Sequence, residues 1–384
     1  MSEQRGDVIA ALVAEAAATA AGPAADAVDR EGRFPHEALE ALRRARLLSA
    51  FVPVAFGGAG ASLYEMADAV RELASHCASS GLVFAMHQIE VAYLARHGTT
   101  PALRALLGRV AEEQLLLANA NSEVGTGGDV TRSSCALERA GGCYRLEKDA
   151  LAVSFGAYAD AILATARRDR DAAPEDQVLI AALKEDLRLA PISPWDAMGL
   201  RGTCSQGFRI EASGDEGLVF PVPFSEIAAR TGNPVTWVLL CSVWLGLAEA
   251  AAAIAHRYVR EKARRAVGTR PVGALRLAEL TGHLHAVRAL IAQCAQHYEQ
   301  IKDSDEVAGM AFGLELRTLK VVATTESLAV GIAALGICGL AGYQHSSPYC
   351  LERILRDLHG GPVMVSNDRL LEASADLLLV QKQL

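Results

Sequence analysis

From residue 7 to about 115, apolar side chains recur at three- and four-residue spacing, the period of helices with one buried face. Breaks in the pattern divide this stretch into a leading helix ending near Gly22-Pro23 and further helices over His36–Arg46, Leu63–Cys77 and Gly81–His97. The period changes from Gln114 to about Pro223. Short apolar runs such as Tyr144–Leu146, Ala161–Thr165, Val178–Ala182 and Phe208–Ile210 are separated there by Gly, Asp, Pro and charged clusters, which predicts an antiparallel β-domain. Long helical patterns return at Pro234: Val235–Arg265, Val272–Lys302, Asp305–Ile337 and Asn367–Gln381, lengths that suit a bundle. The order is therefore helix, β, helix in an α+β, mostly α chain, with expected domains at 1–113, 114–233 and 234–384.

Composition narrows the class. A hydrophobic content of 51% with only 5% aromatics describes an alanine- and leucine-rich helical protein, because small side chains let helices approach closely. A net charge of −8 with no polybasic run argues against nucleic acid or an anionic membrane as partner. The eight cysteines form no C-x-x-C pair in a chain too large to need staples, and no basic-then-apolar leader is evident. A reducing, cytoplasmic setting is the expectation. The apolar stretch Val235–Ala255 reads as a buried bundle helix rather than a membrane span, since flanking aromatic and basic residues are poorly placed.

Candidate chemistry gathers in three segments: Asn121-Ser-Glu-Val-Gly-Thr-Gly-Gly-Asp129, Ser154-Phe-Gly-Ala-Tyr-Ala-Asp160 and Trp195-Asp-Ala-Met-Gly-Leu-Arg-Gly-Thr203. The first is a glycine-dense turn whose bare backbone can approach a flat ligand and aim N–H groups at its electronegative edge. In this order the segments resemble the acyl-CoA dehydrogenase family, whose stretches read roughly T-E-P-G-A-G-S-D, W-I-T-N-G and W-D-x-x-G-x-R-G. Gly32–Pro35, Leu47–Pro53, Phe56–Gly60, Gly339–Tyr343 and Arg356-Asp357 extend the resemblance nearly end to end.

The resemblance implies an N-terminal helical domain, a β-domain and a C-terminal four-helix bundle, with FAD (FMN in a monooxygenase) held between the last two. It also implies a homodimer or homotetramer in which a neighbour completes the cofactor site. Asn119, Asn121 and Ser122, with the backbone of Gly125–Gly128 including Gly127 and Gly128, would serve the pyrimidine edge, and Ser154 would supply a donor at N5. Ala152 stands where the family's ring-covering Trp would be, leaving Phe155 as a substitute cover. Lys262, Arg264 or Arg265, with Gly339 and Gly342, would meet the phosphate end, and Asn367 is a further cofactor-binding candidate.

Removal of an α-proton from an acyl thioester requires a carboxylate in a dry pocket. At the two places where the family keeps that Glu, this chain has Val365 and Thr236-Trp237. The base would then be Glu90, Asp368 or Glu123. Otherwise the reaction needs none, as in flavin monooxygenases of the same fold, where His87 and His359 are residues of the type found near the ring. The expected activity is α,β-dehydrogenation of an acyl-CoA or acyl carrier protein thioester, with electron-transfer flavoprotein as acceptor. The alternatives are a two-component monooxygenase served by a flavin reductase and a non-catalytic flavin-binding relative. His283-Leu-His285 points to different helix faces, and no metal site is expected from it.

Overall fold

The computed structural model describes residues 2–265 and 268–380. Its N-terminal part contains α1 (Ser2–Ala16), α2 (Gly22–Glu31), α3 (His36–Arg44), α4 (Leu63–His76), α5 (Ala78–His97) and α6 (Pro101–Glu113). Gly22-Pro23 does not end the first helix, contrary to expectation. A π-turn over Ala17–Ala21 carries the chain from α1 into α2, with the Gly22 N–H reaching Ala17 O. Pro23 then sits in the first turn of α2, where its missing donor is tolerated. Helix α6 was not resolved by periodicity, although Thr100-Pro101 signals its start. The Thr100 hydroxyl accepts from Leu103 N at 3.1 Å.

The middle of the chain holds β1 (Leu117–Ala120), β2 (Glu138–Ala140), β3 (Cys143–Ala150), β4 (Ala161–Arg167), β5 (Gln177–Leu183), β6 (Leu187–Ser193) and β7 (Gly207–Asp215). They form two sheets, ordered β1-β4-β5 and β2-β3-β7-β6. The expected all-antiparallel pairing fails at one edge: β1 runs parallel to β4, Leu117 opposite Ala161 and Ala120 opposite Ala164. Parallel neighbours need a long crossover, here the connection containing the glycine turn and the β2–β3 hairpin.

After α7 (Phe224–Ile227) come the long helices α8 (Asn233–Arg265), α9 (Gly273–Ile301) and α10 (Met310–Cys338). They are followed by α11 (Leu340–Tyr343), α12 (Glu352–Leu358), α13 (Gly360–Val363) and α14 (Asn367–Val380). The expected start of α10 at Asp305 is a separate short turn, because Gly309 adopts extended backbone at ψ 152°. Gln381, the expected end of α14, lies outside the described residues. Helix α8 is the axis of the molecule and packs against α4, α5, α9 and α10. By length and composition, the helical stretches Arg5–Glu31, Phe224–Arg265 and Met310–Cys338 could each cross a membrane. In Phe224–Arg265, 78% of the most apolar window is buried inside the chain, which accounts for its composition without a bilayer.

One clamp joins all three parts. The loop 194–206 leaves the β-domain and lies across the end of α12, where Leu200 N donates to Asp357 Oδ1 at 2.6 Å. Arg356 donates to Met198 O at 2.9 Å and to both carboxylate oxygens of Asp29 on α2, and Arg201 Nε donates to Asp29 O at 2.9 Å. Gly199 permits this approach, since a Cβ there would lie 2.4 Å from Arg356 O. Burial pushes the Asp357 carboxyl up to about 6 from an ordinary 3.8, although the Leu200 amide opposes the shift.

A raised folded-state value means that the stabilisation linked to Asp357 is present below pH 4 and is lost as pH rises through about 6. Asp357→Ala should cost about 1–3 kcal/mol by stranding a buried amide. Asp357→Asn should retain the acceptor and flatten the stability profile between pH 4 and 6. Urea melts across that range check both, and an unaltered slope in the Asn variant would count against the assignment.

Candidate functional site

The glycine turn is anchored at its base and open at its tip. Glu123, buried at the third position of the Asn121–Asp129 segment, accepts from Ser133 Oγ at 2.7 Å, Ser134 N at 3.0 Å and Cys135 N at 2.8 Å. Its carboxylate also lies 3.5 Å from Lys148 Nζ, which β3 delivers inward by strand alternation and which donates to Thr165 O at 2.8 Å. Burial alone would raise the Glu123 pKa, but Ser133, Lys148 and the amides hold it below the ordinary value. Glu123 is thus a structural anion, not the free base considered above. Beyond it Gly125, Gly127 and Gly128 take φ of +94°, +63° and +81°, the left-handed region open to glycine, and a Cβ on Gly125 or Gly127 would meet nothing within 4 Å. Arg369 Nη2 holds the tip by donating to Gly127 O at 2.7 Å.

Asn121 lies at the root of this turn with a buried side-chain oxygen that has no hydrogen-bond partner. A ring with an imide N–H edge would supply one, so the bare turn and orphan acceptor fit the polar edge of a flavin. Asn119 and Ser122 are committed elsewhere. Asn119 Nδ2 donates to Glu90 Oε1 at 2.9 Å, and the Ser122 hydroxyl donates to Ala152 O at 3.0 Å while accepting from Ala152 N at 3.2 Å. Those bonds make Ser122 and Ala152 the hinge between turn and β3 rather than free ligands.

Ser154 begins a hydroxyl relay whose polarity is readable from its far end. Thr203 Oγ1 donates to Leu200 O at 2.9 Å, Ser205 lies 2.8 Å from Thr203, and Ser154 lies 2.8 Å from Ser205. Because each hydroxyl has one proton, Thr203 accepts from Ser205 and Ser205 accepts from Ser154. Ser154 therefore presents a lone pair. Toward a ligand Ser154 would then act as an acceptor rather than the expected N5 donor, which would match the N5–H of a reduced flavin. Phe155 does not cover the ring face either, because its side chain is fully buried in the core.

At the expected base positions no carboxylate is found. Val365 has a left-handed φ of +53°, unusual for a β-branched residue, and its carbonyl accepts from the buried Lys320 of α10. Lys320 also donates to Asn367 Oδ1 at 2.6 Å, and Asn367 Nδ2 donates to Thr324 Oγ1 at 3.1 Å, so Asn367 is part of this anchor. Burial pulls the Lys320 ammonium down to about 8. Asp368 and His359 are exposed, and His359 Nδ1 lies 2.7 Å from Leu355 O within its own helical turn. Neither is buried with the groups above.

His87 and Glu90 share α5 and are both buried, yet they differ in freedom. His87 Nε2 donates to Leu48 O at 2.7 Å and Nδ1 accepts from Leu117 N at 3.0 Å. This fixes one neutral tautomer, and burial lowers its pKa to about 4. With both nitrogens engaged, His87 staples α5 to β1 and is not a base. Glu90 has one oxygen on Asn119 and the other without a partner, and burial raises it to about 8.

The phosphate-end candidates lie apart from these groups. Lys262 Nζ sits 5.3 Å from the Tyr258 ring centroid, and Lys262 and Arg265, not Arg264, line a cavity of about 420 Å³ with Val272 and Ile337. Gly339 is left-handed at φ +57° with open space around it. Gly342 is an inward packing residue, where a Cβ would meet Cys338 Cβ at 2.8 Å. Sequence reasoning missed Ser205, Thr203 as a relay member, and Lys320. The first two were signalled only by proximity to the Trp195 segment, and the last by a lone cation inside an apolar helix. Among the described residues one trio, exposed His345 and Glu352 with half-buried Cys350, brings metal-ligand atoms within 4.8 Å of one another, with His345 and Glu352 already paired at 2.7 Å.

Residues 4–141 match the family model described as acyl-CoA dehydrogenase, N-terminal domain, and residues 238–365 the corresponding C-terminal domain. Among curated proteins, the chain is 26% identical over 360 residues to the amino sugar nitrososynthase DnmZ of Streptomyces peucetius, covering 88% of this chain and 84% of that one. Among solved structures, FMN-bound TdsC from Paenibacillus sp. A11-2 superposes with a TM-score of 0.84 at 20% identity, covering 98% and 97% of the two chains. Butyryl-CoA dehydrogenase from Megasphaera elsdenii does so equally, at 0.84 and 19% identity with 98% of each chain covered.

Two outcomes are expected. A depressed folded-state value makes His87 cost stability as pH falls from 6.5 toward 4, so His87→Gln should lose less on acidification than the parent in denaturant titrations. Ser154→Ala should weaken binding of reduced flavin by about five- to tenfold, the worth of one hydrogen bond, and affect oxidised flavin less. Anaerobic flavin titration measures the ratio, and equal weakening of the two forms would refute the relay's direction.

Proposed function

The chain belongs to the acyl-CoA dehydrogenase family, and from that premise we propose that it is a flavin-dependent monooxygenase that receives reduced FMN or FAD from a separate reductase. Its place among the flavin oxidoreductases of this fold rests on the family match, and the type of reaction is our reading. The observation that carries it is the Val365 position, where a Lys320 ammonium grips the backbone and no carboxylate stands. Thr236, the alternative base position, offers only a hydroxyl.

The cofactor would supply two electrons to O2, one oxygen atom going to the substrate and the other to water. Around it the chain's own groups have defined tasks. The Gly125–Gly128 backbone and Asn121 receive the polar edge, Ser154 accepts at the reduced ring, and Lys320 fixes the loop that borders the site. The relay suits a protein that binds flavin already reduced. Similarity to an amino sugar nitrososynthase and to TdsC, a dibenzothiophene monooxygenase, supports oxygen transfer to a heteroatom of a small molecule. The proposal includes a homodimer or dimer of dimers, in which a neighbour completes the site for the phosphate end.

A second reading, α,β-dehydrogenation of an acyl thioester, is favoured by one observation: Glu90 is a buried carboxylate with an oxygen to spare. One pair of measurements separates the two. Supplied with reduced flavin by a reductase and NADH, the protein should take up that flavin and consume O2 faster than free flavin does when substrate is present. Under anaerobic conditions the FAD-loaded protein should keep its colour when mixed with butyryl- to palmitoyl-CoA. Bleaching by any of these thioesters would establish dehydrogenation instead.

A further inference from the structure

Among the buried side-chain polar atoms that lack a hydrogen-bond partner in the described residues, Glu90 Oε2 is the only carboxylate oxygen. Leaving such an acceptor unmet costs about 1–3 kcal/mol or more, and no local group is available to relieve it. Asn119 is spent on Oε1. His87, one turn back on α5, has given its only proton to Leu48 O. Tyr93, one turn ahead, shares its hydroxyl with Thr236 and is itself held protonated by burial and by Glu90. Burial and the Asn119 amide are the influences on the Glu90 pKa, and among the described residues no arginine, lysine or histidine offsets its charge.

The second orphan lies nearby in the chain. Asn121 follows Asn119 by two residues in sequence, just past the end of β1 at the root of the glycine turn. Its side-chain oxygen is likewise buried and unmet. Two side-chain oxygens are thus left over, one of Glu90, whose carboxyl is oriented by one amide, and one of Asn121 at the root of the glycine turn. Burial raises the Glu90 pKa to about 8 with no cation to offset it among the described residues, so the partner that would bring it into its ionised form is one that carries positive charge as well as hydrogen-bond donors. Glu90 also stands by Tyr93, whose partner Thr236 is the family's second base position, so the unpaired carboxylate is in the neighbourhood where substrate chemistry belongs.

We propose that Glu90 is the substrate-binding carboxylate for an aliphatic amine, whose ammonium it pairs with at Oε2, and that this protein's oxygenation therefore falls on nitrogen. The inference rests on the monooxygenase reading and names its substrate class. For nitrogen to take an oxygen atom it needs its lone pair, so the ammonium gives one proton to Glu90. The N–O bond then forms, the O–O bond breaks, the second oxygen leaves as water, and the two electrons come from reduced flavin. The sum is RNH3+ with ionised Glu90, O2 and reduced flavin giving RNHOH, water, oxidised flavin and protonated Glu90. The raised affinity of Glu90 for a proton suits it to this exchange.

The test is a binding measurement that needs no turnover. Isothermal titration of the FAD-loaded protein compares primary amines with matched alcohols: cyclohexylamine with cyclohexanol, and glucosamine with glucose. The expected result is at least tenfold preference for an amine in one or both pairs, abolished in Glu90→Gln. Near-UV circular dichroism shows whether that variant is folded; if it is not, the ratio in the parent protein decides alone. Equal affinity for amine and alcohol in both pairs, or a preference that survives in folded Glu90→Gln, overturns the assignment. Oxygen uptake with reduced flavin is scored separately. Amine preference without uptake retires the monooxygenase reading but retains Glu90 as an amine site, and uptake without amine preference does the reverse.

Discussion

The Leu200 amide donates to Asp357, and the Leu200 carbonyl receives both the Thr203 hydroxyl and, at 3.2 Å, the Trp195 indole N–H. One residue therefore ties the bundle to the β-domain and sets the polarity of the hydroxyl relay reaching Ser154. The conformations it enforces are uncommon. Leu200, Cys204 and Phe155 all have positive φ, between +45° and +52°, and each such residue costs about 1–3 kcal/mol. They persist because the clamp around Arg356, Asp357 and Asp29 over-determines the loop. Phe155 N donates to Thr203 O at 2.7 Å, so the strained segments also hold one another. Strain concentrated beside Ser154 and Ser205 is a means of fixing hydroxyls before a ligand arrives.

Buried ionisable groups elsewhere follow a rule from which Glu90 departs. Glu123 has Lys148 and two amides, Asp357 has the Leu200 amide, and Lys320 has a carbonyl and an amide oxygen. Each is surrounded by the complement that lowers the cost of removing charge from water. Glu90 has half of its complement. Among the described residues Glu90 is the buried carboxylate left with an unmet oxygen, and the proposed amine would complete its set.

The sequence carried the architecture well where period carried it. Long amphipathic and apolar runs gave the major helices to within a few residues, because burial of one face leaves its spacing in the order of residues. It failed where tertiary pairing decides. Nothing in Leu117–Ala120 distinguishes a parallel from an antiparallel neighbour, and Ala17–Ala21 gives no sign that a π-turn will carry the helix past Pro23. The site shows the same division. Glycines and the Trp195 segment could be picked out by type, but His87, Glu123 and Phe155 were nominated on chemistry that their partners remove. A histidine with both nitrogens bonded, a carboxylate saturated with donors and a ring turned into the core look like candidates until their neighbours are known.

The exchange of a carboxylate for a lysine-held carbonyl at Val365 changes more than the supply of a base. A carboxylate beside an electron-rich ring opposes the accumulation of negative charge there, whereas an ammonium in low dielectric favours it. Lys320 is held near the lower end of lysine behaviour, but with two oxygen acceptors its proton remains shared rather than free. The Ser154 relay acts in the same sense, since a lone pair aimed outward is satisfied by an N–H that only the reduced ring carries. Under the proposed function these two features, one electrostatic and one a matter of hydrogen-bond direction, would favour the same redox state. A dehydrogenase begins its cycle with the oxidised ring and needs the carboxylate. On the monooxygenase proposal the chain would be arranged around the reduced ring, which has no use for either, and oxygen would be the partner that such a ring meets next.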